Sequence, residues 1–264
     1  MPKRGRDGAA KQSKAKRQAT AEAKYMAGVE KAVRWYGPTA VAKYYRPVVA
    51  GELKGMDTVL TQASVVSTTN TNANAVVLNL IQPGTGSWNR VGRKAHLRSL
   101  RLVGTALYIN SVQAASLDQY MTPLRMVVVW DKQPSGAAIP TFDAIFGITD
   151  QNGSESSTVM APLRYDNMDR FQVLKDSRLQ VRLGGLSGNT TGTADNYYYI
   201  PFDEYVPLGN RETVFSGQSN PMTIADISTG ALYVYFRTPL SIATNNVADW
   251  RIDSSSIARL RYVD

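Results

Sequence analysis

The chain has 264 residues, is 43% hydrophobic, contains no cysteine and carries a formal charge of +9. Residues 1–50 hold 12 of its 30 basic but only 3 of its 21 acidic residues, leaving 18 of each in residues 51–264. The charge belongs to an arm, which excludes a uniformly basic enzyme, and the missing thiols exclude disulfides, thiolate nucleophiles, zinc fingers and iron–sulfur sites.

The arm comes first. Ala, Lys, Gln, Glu and Arg dominate residues 9–36, which predicts a helix. At 100° per residue, Lys16, Arg17, Lys24, Lys31 and Arg34 form one stripe, and Ala15, Ala19, Met26, Val29 and Val33 another. Gly37-Pro38 ends it, and a second short helix over 39–46 stops before Pro47. No apolar run follows the basic N-terminus, so a secretory signal is not expected, and no stretch of about 18 apolar residues spans a membrane.

After Gly51 the residues become rich in Val, Ile, Tyr and Thr, bounded by Gly, Pro, Asn, Asp and Ser. The predicted strands are 57–67, 74–82, 92–110, 123–131, 170–175, 178–184, 197–202, 230–238 and 248–263. Leu124, Met126, Val128 and Trp130 share one face of the fourth. In the last, Ala258, Leu260 and Tyr262 oppose Arg259 and Arg261. The apolar phase of 92–110 slips between Leu97 and Leu100, which predicts a bulge. Long loops at 68–73, 83–91, 132–169, 185–196 and 203–229 favour a sandwich over an up-and-down barrel. The expected organisation is a basic arm over 1–50 and one all-β domain over 51–264.

Catalytic chemistry is poorly supplied. His96 is the only histidine and lies in a predicted strand, whereas a metal site on a β-barrel or a Ser-His-Asp triad needs more. No phosphate-binding loop signature occurs, and Gly184–Gly188 reads as an ordinary loop. The segment Asp150–Glu155 misses calcium-loop spacing. Asp166/Asp169 and Asp203/Glu204 read as solvated loop carboxylates, and the glycosylation triplets at Asn152 and Asn189 as chance. No cofactor and no metal are expected.

Binding chemistry is better supplied. Lys3, Arg4, Arg6, Lys11, Lys14, Lys16, Arg17 and Lys24 face only two acids before residue 25, a pattern that pairs with phosphates and releases counterions; Lys31 and Arg34 extend it. Trp35-Tyr36 and Tyr44-Tyr45 are candidates for stacking on unpaired bases, or for plugging the arm into the body. Lys3-Arg4 and Lys14–Arg17 have the form of a bipartite nuclear import signal, so host import receptors are candidate partners. Arg90, Arg93, Lys94, Arg98 and Arg101 form a second basic cluster with no acid between Gly84 and Ser116. Strand alternation allows Lys94 and Arg98 on one face and Arg93 and Arg101 on the other, so all five are not expected to point the same way.

Five motifs stand in order behind the arm: Glu52–Thr58 (ELKGMDT), Arg90–Lys94 (RVGRK), Leu124–Ala137 (LRMVVVWDKQPSGA), Asp169–Asp176 (DRFQVLKD) and Ile227–Tyr233 (ISTGALY). Through them the chain resembles capsid proteins of circular, replication-initiator-encoding single-stranded DNA viruses, the circovirus- and geminivirus-like group. The resemblance implies an eight-stranded jelly-roll sandwich, sixty copies of which close a small T=1 icosahedral virion around single-stranded DNA. The arm and the 90–101 cluster would face inward. Alternatives remain a coat of a small RNA virus or satellite, a non-viral nucleic-acid-binding β-barrel, and a lectin-like sandwich trimer.

Overall fold

A computed structural model describes residues 52–110, 123–134, 136, 138–180, 196–239 and 248–264. The helices expected at 9–36 and 39–46 lie outside them, as do Gly184–Gly188 and Asn189. The described chain forms β1 (Leu53–Val59), β2 (Ala75–Val77), β3 (Lys94–Asn110), β4 (Leu124–Asp131), α1 (Phe142–Ile145), β5 (Ile148–Thr149), β6 (Glu155–Ser156), β7 (Phe171–Leu179), β8 (Asn196–Phe215), β9 (Ile227–Thr229), β10 (Ala231–Arg237), β11 (Ala248–Ile252) and β12 (Ile257–Val263).

The large sheet runs β1-β12-β3-β8-β9, with β11 also paired to β3; the small sheet runs β2-β10-β4-β7, and β5-β6 is a separate hairpin. Leaving aside the short β5, β6, β9 and β11, the eight remaining strands cross between the sheets at every connection except β4 to β7. All the pairings are antiparallel. This is the eight-stranded double Greek key of a jelly roll.

The strand pattern departs from the predicted one where polar or turn-forming residues sit inside a ladder. Residues 170–175 and 178–184 were expected as two strands, but Phe171–Leu179 is continuous and pairs with β4 throughout. The strand at 197–202 continues to Phe215, through Pro201, Asp203, Pro207 and Gly209. The expected loop at 203–229 is thus half strand. The strand over 248–263 is broken by a turn in which Asp253 Oδ2 accepts the Ser255 N–H at 3.0 Å.

The bulge expected between Leu97 and Leu100 is present: the registers of β3 with both β12 and β8 shift around Arg98. On β8 the facing residues are Leu208–Asn210, and Gly209 and Asn210 hold positive φ of 64° and 62°. Ala95 and Leu97 before the bulge, and Leu100, Leu102, Ala106 and Tyr108 after it, all enter the core. One extra residue restores the inward phase and bends the sheet.

The space between the sheets is filled by the side chains that alternation selects. Leu124, Met126, Val128 and Trp130 are buried there, as are Ala258, Leu260 and Tyr262, while Arg259 and Arg261 point out. β4 and β10 are buried on both faces. The outer face of the small sheet lies under residues 139–165: Phe142 stacks on Phe146 at 4.5 Å and meets the Tyr235 ring edge-on at 6.0 Å, and the Tyr235 hydroxyl donates to Pro140 O at 2.9 Å. Gly230 precedes β10 with φ +74°. A Cβ there would stand 2.4 Å from Glu212 O and 2.7 Å from the Trp130 ring, so this crossing between sheets needs a glycine.

Candidate nucleic-acid interface

Of the residues expected to bind nucleic acid, Lys3, Arg4, Arg6, Lys11, Lys14, Lys16, Arg17, Lys24, Lys31 and Arg34 lie outside the described residues. So do the stacking candidates Trp35, Tyr36, Tyr44 and Tyr45. The body cluster is described, and its members divide.

Arg90 is a correction. It is 1% exposed, and its guanidinium is spent inside the protein: Nε donates to Ile81 O at 3.0 Å, one Nη to Gly92 O at 2.7 Å and the other to Gly217 O at 2.8 Å. It also lies over the Phe215 ring at 4.1 Å. Burial pulls its pKa below the ordinary arginine value, against the opposing pull of Asp226 and Asp264. A side chain so committed ties the 81–92 loop to the 215–222 segment, and at 1% exposure it presents no face to a phosphate.

The other four lie on or beside β3. Arg93 and Lys94 are exposed, and Lys94 Nζ pairs with Glu212 Oε1 at 3.0 Å. Arg98 is the bulge residue. Arg101 is exposed and grips Asp203 with two bonds of 2.8 and 2.5 Å. The bulge overturns the expected split of faces: Lys94 before it and Arg101 after it both point away from the core. His96, half-buried, stands 3.9 Å from Glu212 Oε2 on that same face.

Register carries Arg101 into a row across four strands. Asp57 on β1 faces Arg259 on β12, Arg259 faces Arg101 on β3, and Arg101 faces Tyr205 on β8. Arg259 grips Asp57 at 2.8 and 2.7 Å, as Arg101 grips Asp203. These hydrogen bonds hold both carboxyls below the usual aspartate range. One step along lies the row Gly55, Arg261, Ser99 and Pro207. Arg101, Tyr205, Arg259, Arg261 and Ser99 from these rows, together with Asp203, line a shallow groove of about 690 Å³. The outward phase of Arg259 and Arg261 was legible in their own alternation. Their meeting with Arg101 and Tyr205 was not, because it depends on long-range register.

The remaining sequence candidates resolve into local structure. Asp203 and Glu204 point to opposite sides of β8, where Glu204 pairs with Lys175 at 2.7 Å and accepts from Ser177 Oγ at 2.8 Å. Asp150 accepts the N–H groups of Asn152 and Ser154, each at 2.8 Å, and closes the β5-β6 hairpin. Among the described residues no three His, Cys, Asp or Glu side chains gather as a metal site, and no helix is long and apolar enough to cross a membrane.

Besides Arg90 in the second motif, three more of the five sequence motifs carry structural clamps. Asp131 and Arg170 join the third motif to the fourth with two bonds of 2.9 Å, and Arg125 and Asp176 join them again at 3.1 and 2.8 Å. In the first motif, Lys54 is buried against Asn89 O at 3.0 Å and Asp264 at 3.1 Å.

No curated protein sequence matches the chain. Among solved structures it is similar to VP2 of the infectious bursal disease virus subviral particle, with 10% identity and a TM-score of 0.23 over 80% of this chain and 37% of that one. The chain thus corresponds to little more than a third of that protein's length. It is also similar to VP1 of Trichodysplasia spinulosa-associated polyomavirus in complex with GM1 oligosaccharide, with 10% identity and a TM-score of 0.23 over 81% and 94% of the two chains. Merkel cell polyomavirus VP1 in complex with disialyllactose gives 10% identity and a TM-score of 0.19 over 82% and 96%. The decisive comparison is with families: the Geminivirus coat protein/nuclear export factor BR1 family matches residues 3–255, nearly the whole sequence, and the chain belongs to that family.

Proposed function

We propose that this viral capsid protein closes into a small icosahedral shell of about 60 copies and packages single-stranded DNA without reading its sequence, with residues 1–50 as the binding arm and residues 51–264 as the shell domain. Family membership makes it a component of the virion with a structural role, and makes self-association its business. The observation that carries the finer reading is the division of charge: +9 in the first 50 residues against balance in the rest. Neutral bodies pack beside their copies without like-charge repulsion. Sixty arms of +9 concentrate about 540 positive charges, set against one phosphate charge per nucleotide. The jelly roll supports the same reading, since its two-sheet form builds capsid walls. Lys3-Arg4 with Lys14–Arg17 would let host import receptors carry the protein to the nucleus for assembly.

Electron microscopy of the recombinant full-length chain, with nuclease typing of the contents, tests this. Closed particles holding DNase-sensitive single strands are expected, and removal of residues 1–34 should leave them empty. Monomers or trimers in every buffer would overturn the shell. RNA as the packaged strand would favour a coat for an RNA genome.

A further inference from the structure

Arg101 and Arg259 are direct neighbours across β3 and β12. Like charges placed opposite one another in a sheet repel. Here each guanidinium is drawn away from the other by its own carboxylate, Asp203 for Arg101 and Asp57 for Arg259. Both arginine side chains are more than half exposed, at 58% and 54%. Exposed pairs of this kind hold weakly. An arginine fork that accepts a carboxylate through two bonds accepts a phosphate through the same two. Tyr205 stands opposite Arg101 on the far side, its ring open to solvent, and Arg261 lies two residues along β12, roughly 7 Å away.

We propose that the Arg101–Arg259 pair is a phosphate clamp for a single nucleic-acid strand lying across the exposed face of the large sheet. Asp203 and Asp57 are the internal anions that the phosphate displaces. Tyr205 receives an unpaired base beside the clamp, which selects a single strand over a duplex, because only unpaired bases offer a free ring face. Without nucleic acid the two aspartates keep the arginines apart and the sheet intact. With it, the phosphate takes the place of both carboxylates at the two forks and lies between the two cations. The clamp rests on the nucleic-acid reading above but not on the arm.

The test uses the full-length chain and a fluorescent 12-nucleotide oligothymidylate, its uridylate counterpart and a duplex of equal length. R101Q/R259Q should weaken single-strand binding about tenfold or more and reduce the slope of log K against log salt by roughly 0.7, for the one phosphate that the pair holds. D57N/D203N should move the other way, with roughly threefold or greater tightening and a steeper slope. A misfolded variant does not bind more tightly, so this second pair guards against mere unfolding. Y205A should cost about fivefold or more, with Y205F close to the parent and the duplex indifferent to both. Equal loss on deoxy and ribo strands assigns the site to the phosphate and base they share, and loss on one alone assigns it to that sugar.

Unchanged affinity and slope in R101Q/R259Q would overturn the proposal, as would a change confined to the size of the assembly, which would assign the row to an interface between copies. Replacing the eight cations from Lys3 to Lys24 by glutamine separates this idea from the arm. If that change abolishes binding and the sheet variants do nothing, the arm reading stands and the clamp falls. If binding survives it and the sheet variants remove what is left, the clamp stands without the arm.

Discussion

Asp131 and Arg170 meet through two hydrogen bonds of 2.9 Å, and Asp131 has no exposed surface. At the other end of the same strand pair, Arg125 and Asp176 make the mirror arrangement, with the arginine on β4 and the acid on β7. The two clamps lock the register of β4 with β7, an edge strand whose polar face otherwise has little to specify its alignment. They differ in kind from the Arg101–Asp203 and Arg259–Asp57 pairs, which have similar geometry but lie in solvent.

That difference is measurable. Arg170→Met leaves the Asp131 carboxylate buried with only the Gln133 N–H at 3.0 Å and the Tyr233 hydroxyl at 3.4 Å. The expected loss is about 3–5 kcal/mol in chemical denaturation. Asp57→Asn, which breaks an exposed pair, should cost about 1 kcal/mol or less. Similar losses for the two variants would show that burial does not separate the classes.

Gly230→Ala combines a positive φ with two close approaches, one of them to the backbone oxygen of Glu212 at 2.4 Å. Neither the oxygen nor the Trp130 ring has room to retreat. We expect a loss of about 3 kcal/mol or more, since strained backbone and overpacking each cost roughly 1–3 kcal/mol. Gly153→Ala, at φ +78° in the β5-β6 turn but with nothing within 4 Å of the added Cβ, isolates the backbone part and should cost less. Thermal melts of the two variants check the order.

Much of the fold was legible because alternation and turn residues act locally. The inward sets of β4 and β12 and the bulge in β3 follow from apolar phase alone. The length of β8 was hidden because Pro207, Gly209 and Asn210 read as a loop, whereas they form the bend opposite Arg98. Charge density misassigned Arg90, since composition does not distinguish a solvated cation from one satisfied by carbonyls. The Arg259–Arg101–Tyr205 row was illegible for a topological reason: β12, β3 and β8 are distant in sequence, and only the crossed connections of the jelly roll lay them side by side.

Stability should fall at both pH extremes, for opposite reasons. The Thr223 backbone N–H, with further bonds from Ser219 and the Thr223 hydroxyl, holds Asp226 below its ordinary value of 3.8. A carboxyl lowered in this way contributes fully above its unfolded value and loses that contribution as pH falls through the lower folded one. The acid limb should therefore open below about pH 4, and Asp226→Asn should flatten it. Burial pushes the Tyr233, Tyr235 and Tyr262 hydroxyls up. Their contribution is complete below the unfolded value near 10 and is lost as pH rises beyond it. Melting temperature against pH should thus be level from roughly pH 5 to 9. An acid limb unchanged in Asp226→Asn would contradict the assignment.

The arm makes a separable electrostatic prediction. Ten candidate cations between Lys3 and Arg34, each neutralising one phosphate, set an upper bound of about −7 for the slope of log K against log salt on a single strand. The body has balanced charge and contributes only local clusters. Titrating a single-stranded oligonucleotide into the full-length chain and into the chain lacking residues 1–34, across roughly 50–200 mM salt, should give a much steeper response for the former. If the truncated chain keeps the full slope, the phosphates are held by the body, and the exposed arginine row becomes the principal binding surface. A weak salt response in both chains would mean that the arm's cations meet protein carboxylates instead of phosphates, because counterion release accompanies every phosphate that a cation neutralises.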